Sequence, residues 1–214
     1  MQINTIVMNT VNEELRLYIE QEIIPRYDHF DAAHQRDHVE AVIERSMKLA
    51  QYYPVDHNMV YAIAAYHDTG LTEGRDTHHL VSGIIIRNDQ HLHQWFNEEQ
   101  ISTIAQAAED HRASAKNEPR SIYGKIVAEA DRLINPYTVC LRTVQYSLSH
   151  YPDYNKEQHY QRFKQHLDEK YSDHGYLKLW IPESDNAAQL EKLRAIIRDE
   201  QQTKIIFEKI WSEI

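Results

Sequence analysis

Apolar residues recur along most of this chain at intervals of three and four, the repeat of helices that bury one face. Residues 36–53 show it most plainly: Val39, Val42, Ile43, Met47 and Ala50 are separated by polar and charged positions, and Pro54 closes the run. Upstream, Thr10 and Glu13 have capping-box spacing and open a helical segment from Val11 to about Ile24, ended by Pro25. Asp56 can cap the very apolar run 57–68, and Gly70 suits the helix C-terminal turn that follows. Residues 77–89 read as a short buried helix, although the triplet Ile84, Ile85, Ile86 alone also fits a strand. Asn97 and Gln100 have N-cap spacing before a stripe through Ile101, Ile104, Ala105 and Ala108. The polar stretch 113–120 is a loop, 121–134 resumes the helical period, and Pro136 starts another helix. Beyond about residue 150 the chain becomes rich in Tyr and His but stays amphipathic, and Pro182 precedes a long final helix from about Asp185 to Trp211. No internal repeat interrupts this order.

Composition agrees with helices. With 5 glycines and 6 prolines in 214 residues, turn formers are too few for many short strands. The length allows a substantial core, read as a helical core over 1–150 and a helical extension over 151–214 packed on it. A net charge of -10 opposes binding to long nucleic acid, while a local cluster of Arg and Lys can still hold a small anion. One cysteine, Cys140, excludes an intrachain disulfide, and no apolar run approaches membrane-spanning length, so a cytoplasmic protein without a membrane partner is expected.

The 14 histidines sharpen the picture only where helical periodicity aims them inward. His38 borders the apolar stripe of its helix, His67 and Asp68 end the most apolar run, and Asp131 extends a stripe through Tyr123, Val127 and Ile134. Buried imidazoles and carboxylates without partners cost several kcal/mol, so such positions imply pairing or a metal. A mixed N/O set suits Mn, Fe, Zn, Co or Ni, and with more water Mg. His111 continues the Ile104, Ala108 stripe and points inward as well. Histidines 91, 93, 150, 159, 166 and 174 fit no ligand spacing and are assigned to surface and packing roles.

His38, then "AAYHDTG" around His67-Asp68, then "AEADRL" around Asp131 resembles the H…HD…D signature of HD-domain metal-dependent phosphohydrolases. "HHLVSGIIIRND" is similar to the additional helix of binuclear members, in which a His precedes two small residues by four and five positions. Ser82 and Gly83 fill those places and select His78 over His79, and "AAEDHRAS" matches the second additional histidine at His111. The resemblance covers about residues 30–140 and implies an all-α, HD-type helical bundle. It implies one or two divalent ions held by His38, His67, Asp68, His78, His111 and Asp131, with Asp68 bridging. The Gly-Tyr-Pro motif of the cyclic-dinucleotide phosphodiesterases in this family is absent.

Such ions lower the pKa of water toward about 7 and supply a nucleophile for attack on phosphorus. Basic side chains must then meet the phosphoryl charge. Arg75, Arg112, Arg120, Lys125 and Arg132 lie near the motifs, with Arg112 and Arg120 best placed. His34, one turn before His38, and Glu73 are candidate acid/base groups. The expectation is hydrolysis of a nucleotide or another small phosphorylated metabolite. A nucleotide-sensing module without turnover and a diiron oxygenase with the same ligands are the alternatives. The final segment "IIFEKIWSEI" can pack on the core or make a homo-oligomer.

Overall fold

The computed structural model describes residues 11–31, 34–114 and 117–214; the Thr10 capping position expected from sequence lies outside them. Among the described residues there are ten α-helices and no strand, so the fold is all-α. By its internal contacts the chain divides into two compact units: residues up to Arg132 together with Trp180–Ser184, and Leu133–Leu179 together with Asp185–Ile214. The sequence pattern changes character near residue 150, downstream of that division.

In the first unit, α1 (Glu13–Tyr18) is capped by the Asn12 side chain, which accepts from the Leu15 N–H. The helix does not run unchanged to Pro25. It widens to a π turn over Ile19–Ile23 and tightens to a 3-10 turn over Ile24–His29, where Pro25 occupies the first turn and loses no needed N–H bond. Helices α2 (Arg36–Ala50) and α3 (His57–Tyr66) follow, the latter capped by Asp56. Every α3 residue from Met59 to Tyr66 is buried, as expected of a helix that is apolar all round. It is the centre of the unit and packs against α2, α5 and α6.

After α3 the chain makes a 3-10 turn, Thr69–Glu73, and enters α4 (His78–Asn88). Gly70 does not serve as a left-handed helix end; the glycine with positive φ is Gly74, at 97°. Gly70 is needed for close approach, since a Cβ there would lie 2.1 Å from the His78 carbonyl oxygen. Helix α4 forms as expected, but its burial is one-sided. Ser82, Gly83 and Ile86 face inward, while Leu80 and Ile84 are exposed. A short 3-10 turn (Gln90–Gln94) leads to α5 (Glu98–Asp110), which opens with the complete Asn97/Gln100 capping box, and α6 (Ile122–Asp131) starts on Ser121.

In the second unit α7 (Pro136–His150), α8 (Lys156–Tyr171), α9 (Asn186–Arg198) and α10 (Glu200–Glu213) surround Cys140, Val144, Phe163, Leu167, Leu193, Phe207 and Ile210. The long final helix expected from Asp185 to Trp211 is two helices. Asp199 leaves helical geometry (φ -106°, ψ 102°), and its carboxylate caps the Gln201 and Gln202 N–H groups of α10. Asp at that position competes with the helix it interrupts, a preference that apolar periodicity does not reveal.

Candidate metal centre

Six side chains converge in the first unit, all carried at helix ends or on inward faces. His38 comes from the first turn of α2, and His67 and Asp68 follow the last residue of α3. His78 opens α4, His111 ends α5, and Asp131 is the last residue of α6. Helix ends suit this purpose because the chain can leave the helix there and turn a side chain inward without breaking a core contact.

The Asp68 carboxylate lies at the centre, with its two oxygens facing different partners. Oδ2 is 3.2 Å from His67 Nε2 and 3.4 Å from His38 Nε2. Oδ1 is 3.4 Å from His78 Nε2 and 3.3 Å from His111 Nε2. Asp131 Oδ1 joins the first group, 3.4 Å from His38 Nε2 and 3.8 Å from His67 Nε2. Within each group the imidazoles face each other, Nε2 to Nε2, at 3.3 Å for His38 and His67 and 3.1 Å for His78 and His111.

The other ring nitrogens explain this arrangement. His67, His78 and His111 each place Nδ1 on the carbonyl oxygen three residues earlier, Ala64, Arg75 and Ala108, at 2.6–2.7 Å. A carbonyl can only accept, so Nδ1 carries a proton in each ring, and Nε2 is the nitrogen turned toward Asp68, where its lone pair is available to a cation in the neutral ring. Lone pairs and carboxylate oxygens brought within 3.1–3.4 Å of one another call for positive charge between them. Tetrahedral ligands at about 2.1 Å from an ion lie about 3.4 Å apart, close to the 3.1–3.8 Å seen here. The donors therefore fit a divalent cation by both chemistry and spacing, and the Nδ1–carbonyl bonds are the usual outer support of such ligands.

The charges in the cluster are tuned by the same contacts. Burial pushes the Asp68 carboxyl up, but His67, His111 and His38 outweigh it and hold it well below the usual carboxylate range. Asp131 is likewise held down against burial by His38, His67 and His111. Burial pushes His38 down, yet its bonds to Asp131 and Asp68 win and raise it to about 10. His111 rises against burial through Asp68, whereas His78 is lowered by burial and by the His111 charge.

His79 does not reach the cluster. Its Nδ1 is buried without a partner, and burial, followed by the charges of His111 and His78, lowers its pKa to about 4. Ser82 and Gly83 account for the choice, because they let α4 lie against α5: a Cβ on Gly83 would meet Glu109 Oε1 at 2.4 Å. His34 stands at the rim, its ring 5.5 Å from that of His38, with Nδ1 on Asp31 at 2.8 Å and Nε2 3.4 Å from Arg75 Nη2. Arg112 donates to the Asp76 carbonyl at 2.5 Å and is near enough to His78 to lower its pKa. Arg120 is spent on Asp110, Glu109 and the Gln106 carbonyl, and Lys125 pairs with Glu118. Arg132 is buried and donates to the Ala128 carbonyl at 2.6 Å. Glu73 is exposed at the end of its 3-10 turn.

Sequence reasoning missed Tyr27 and Thr69, which bond the backbone around Asp68. Tyr27 sits in a 3-10 turn without periodicity, so no pattern marked it.

Residues 36–135 match the HD domain family model. This segment of the chain is an HD domain, the domain of a superfamily of metal-dependent hydrolases, and its His/Asp cluster is compatible with the metal site of that family. No curated protein and no solved structure matches the chain. No helix among the described residues is long and apolar enough to cross a membrane.

Proposed function

We propose that the protein is a phosphohydrolase acting on a nucleotide or another small phosphorylated metabolite, with two divalent ions bridged by Asp68. The observation that carries this reading is the division of the Asp68 carboxylate, each oxygen faced by two imidazole Nε2 atoms at 3.2–3.4 Å. His38, His67 and Asp131 would hold one ion, and His78 and His111 the other. When bound, the ions supply Lewis acidity and a nucleophile at neutral pH.

The remaining work falls to side chains at the rim. Arg112, fixed by the Asp76 carbonyl, and Arg75, beside His34, supply positive charge where phosphoryl oxygens would lie. Arg120 and Lys125 already hold carboxylates, so a phosphate would have to compete for them. His34, oriented by Asp31 through Nδ1, accepts from the Arg75 guanidinium through Nε2 and is placed at the rim to exchange a proton with a substrate that displaces that bond. Glu73 reaches no other described side chain of the site and would act only through a mobile substrate or water. A small substrate, no long nucleic acid, no membrane contact and a cytoplasmic setting accord with the acidic chain. A homo-oligomer built on α10 remains compatible with this function.

The test is phosphate release from a panel of nucleotides and aryl phosphates by protein loaded with Mn, Co, Ni, Mg, Zn or Fe. Turnover that disappears in Asp68→Ala supports the reading. Saturable nucleotide binding without turnover in any loading would show a sensor, and oxygen consumption by the iron form would show an oxygenase.

A further inference from the structure

The last three carbonyls of α3 are each taken by a different side chain. His67 Nδ1–H donates to Ala64 at 2.7 Å, the Tyr27 hydroxyl to Ala65 at 2.9 Å, and the Thr69 hydroxyl to Tyr66 at 2.8 Å. All three side chains belong to buried residues. A helix end leaves these carbonyls to water or to the N–H groups of the turn that follows. Here the Asp68 N–H goes instead to the Tyr27 oxygen, at 3.3 Å. The Tyr27 hydroxyl therefore links the Asp68 amide to the Ala65 carbonyl, using its donor and its acceptor at once.

The consequence lies in the Asp68 backbone, which at φ -109° and ψ 5° has left the helix. Nothing in the helix ladder fixes that conformation. The Leu71 N–H, which donates to the Asp68 carbonyl at 3.0 Å, holds it together with the hydroxyls of Tyr27 and Thr69, and Tyr27 reaches the turn from a segment 41 positions earlier in sequence. The carboxylate held by this turn must keep both oxygens within 3.2–3.4 Å of four imidazole nitrogens, a geometry that a small rotation would spoil for both groups together.

We infer that Tyr27, with Thr69 beside it, is a positioning residue that sets the Asp68 carboxylate between the two imidazole pairs and so sets divalent-ion affinity from outside the ligands. The inference rests on the metal-centre reading above. Calorimetric titration of Mn²⁺ into the metal-free full chain tests it, with thermal unfolding of the metal-free form recorded for each variant. Tyr27→Phe keeps the ring and removes both bonds; it should weaken Mn²⁺ about ten- to a hundredfold, the range for outer-shell partners. Tyr61→Phe, which alters an equally buried tyrosine of α3 away from the turn, should leave the affinity as in wild type. Thr69→Val should weaken Mn²⁺ and Thr69→Ser restore it, and this pair carries the test if Tyr27→Phe does not fold. Wild-type affinity in Tyr27→Phe or, where that does not fold, in Thr69→Val overturns the inference while the metal-centre reading stands. A wild-type chain that takes up no Mn²⁺ overturns both.

Discussion

The two halves of the His/Asp cluster share one carboxylate but are not equivalent. His38 and His67 have a second carboxylate, Asp131, within 3.4–3.8 Å, and His38 is accordingly raised to about 10. Among the described residues the carboxylate within 3.4 Å of His78 and His111 is the shared Asp68, with Asp131 acting on His111 from farther off, and His78 is lowered by burial and by its neighbour's charge. The first half is thus built to hold positive charge, whereas the second is short of negative charge and lies beside Arg112. An ion in the second half is expected to bind more weakly and to depend on anionic substrate for part of its charge balance.

The largest effect is expected where the halves meet. Asp68→Asn should lower phosphate release on the order of a thousandfold, the equivalent of several kcal/mol of transition-state stabilisation, and reduce bound metal in both halves. Elemental analysis with steady-state rates reads both. The next pair of substitutions separates the halves. His67→Ala should lower turnover about a hundredfold and remove the tighter of two binding phases, while His78→Ala should lower the content to about one ion per chain and retain that tighter phase. Equal losses in the two variants would mean that the halves act as a single site. A smaller effect concerns substrate. Arg112→Ala should raise KM about tenfold, the loss of one charge-assisted bond, while Arg120→Ala should lower thermal stability and leave KM alone.

The smallest effect on the site comes from its support. Asp89 accepts bonds from the Tyr66 and Tyr18 hydroxyls, the first from the residue before His67. Burial pushes the Asp89 carboxyl up, but these hydroxyls outweigh it and leave it below the usual range. A carboxyl lowered by folding stabilises fully above its unfolded pKa of about 3.9, and the contribution fades as pH falls through the folded value. Thermal unfolding followed from pH 7 down to 3 should therefore show an acid limb that is shallower in Asp89→Asn, with metal content at pH 7 unchanged.

The convergence of the six side chains was largely legible in the sequence because each stands where an apolar stripe meets a helix end. His111 follows Ile104 and Ala108 in register, and Asp131 follows Val127, so periodicity alone turned them inward. His78 over His79 was legible through Ser82 and Gly83, which mark the face that must approach α5. The arginines were harder. Arg112 and Arg120 look alike in sequence, and only the fold shows one beside His78 and the other consumed by Glu109 and Asp110. Tyr27 was invisible because its partners, Ala65 and Asp68, are reached through tertiary contacts from a π and 3-10 segment that no helical period describes. The break at Asp199 escaped because Leu193, Phe207 and Ile210 all keep apolar faces on either side of it.

The short segment Trp180–Ser184 counts with the first unit although the chain reaches it only after α7 and α8, which both belong to the second. Its Trp180 N–H and Ser184 hydroxyl both donate to the fully buried Glu129 carboxylate, at 2.7 Å and 2.5 Å, two residues before Asp131. For anyone dissecting the protein, this makes the C-terminal third indispensable in a way that a boundary drawn at the end of the HD motifs hides. Cutting the gene after residue 150 would discard two donors that a carboxylate beneath the metal ligands relies on, so a shortened chain is expected to be purified with an impaired site or not at all.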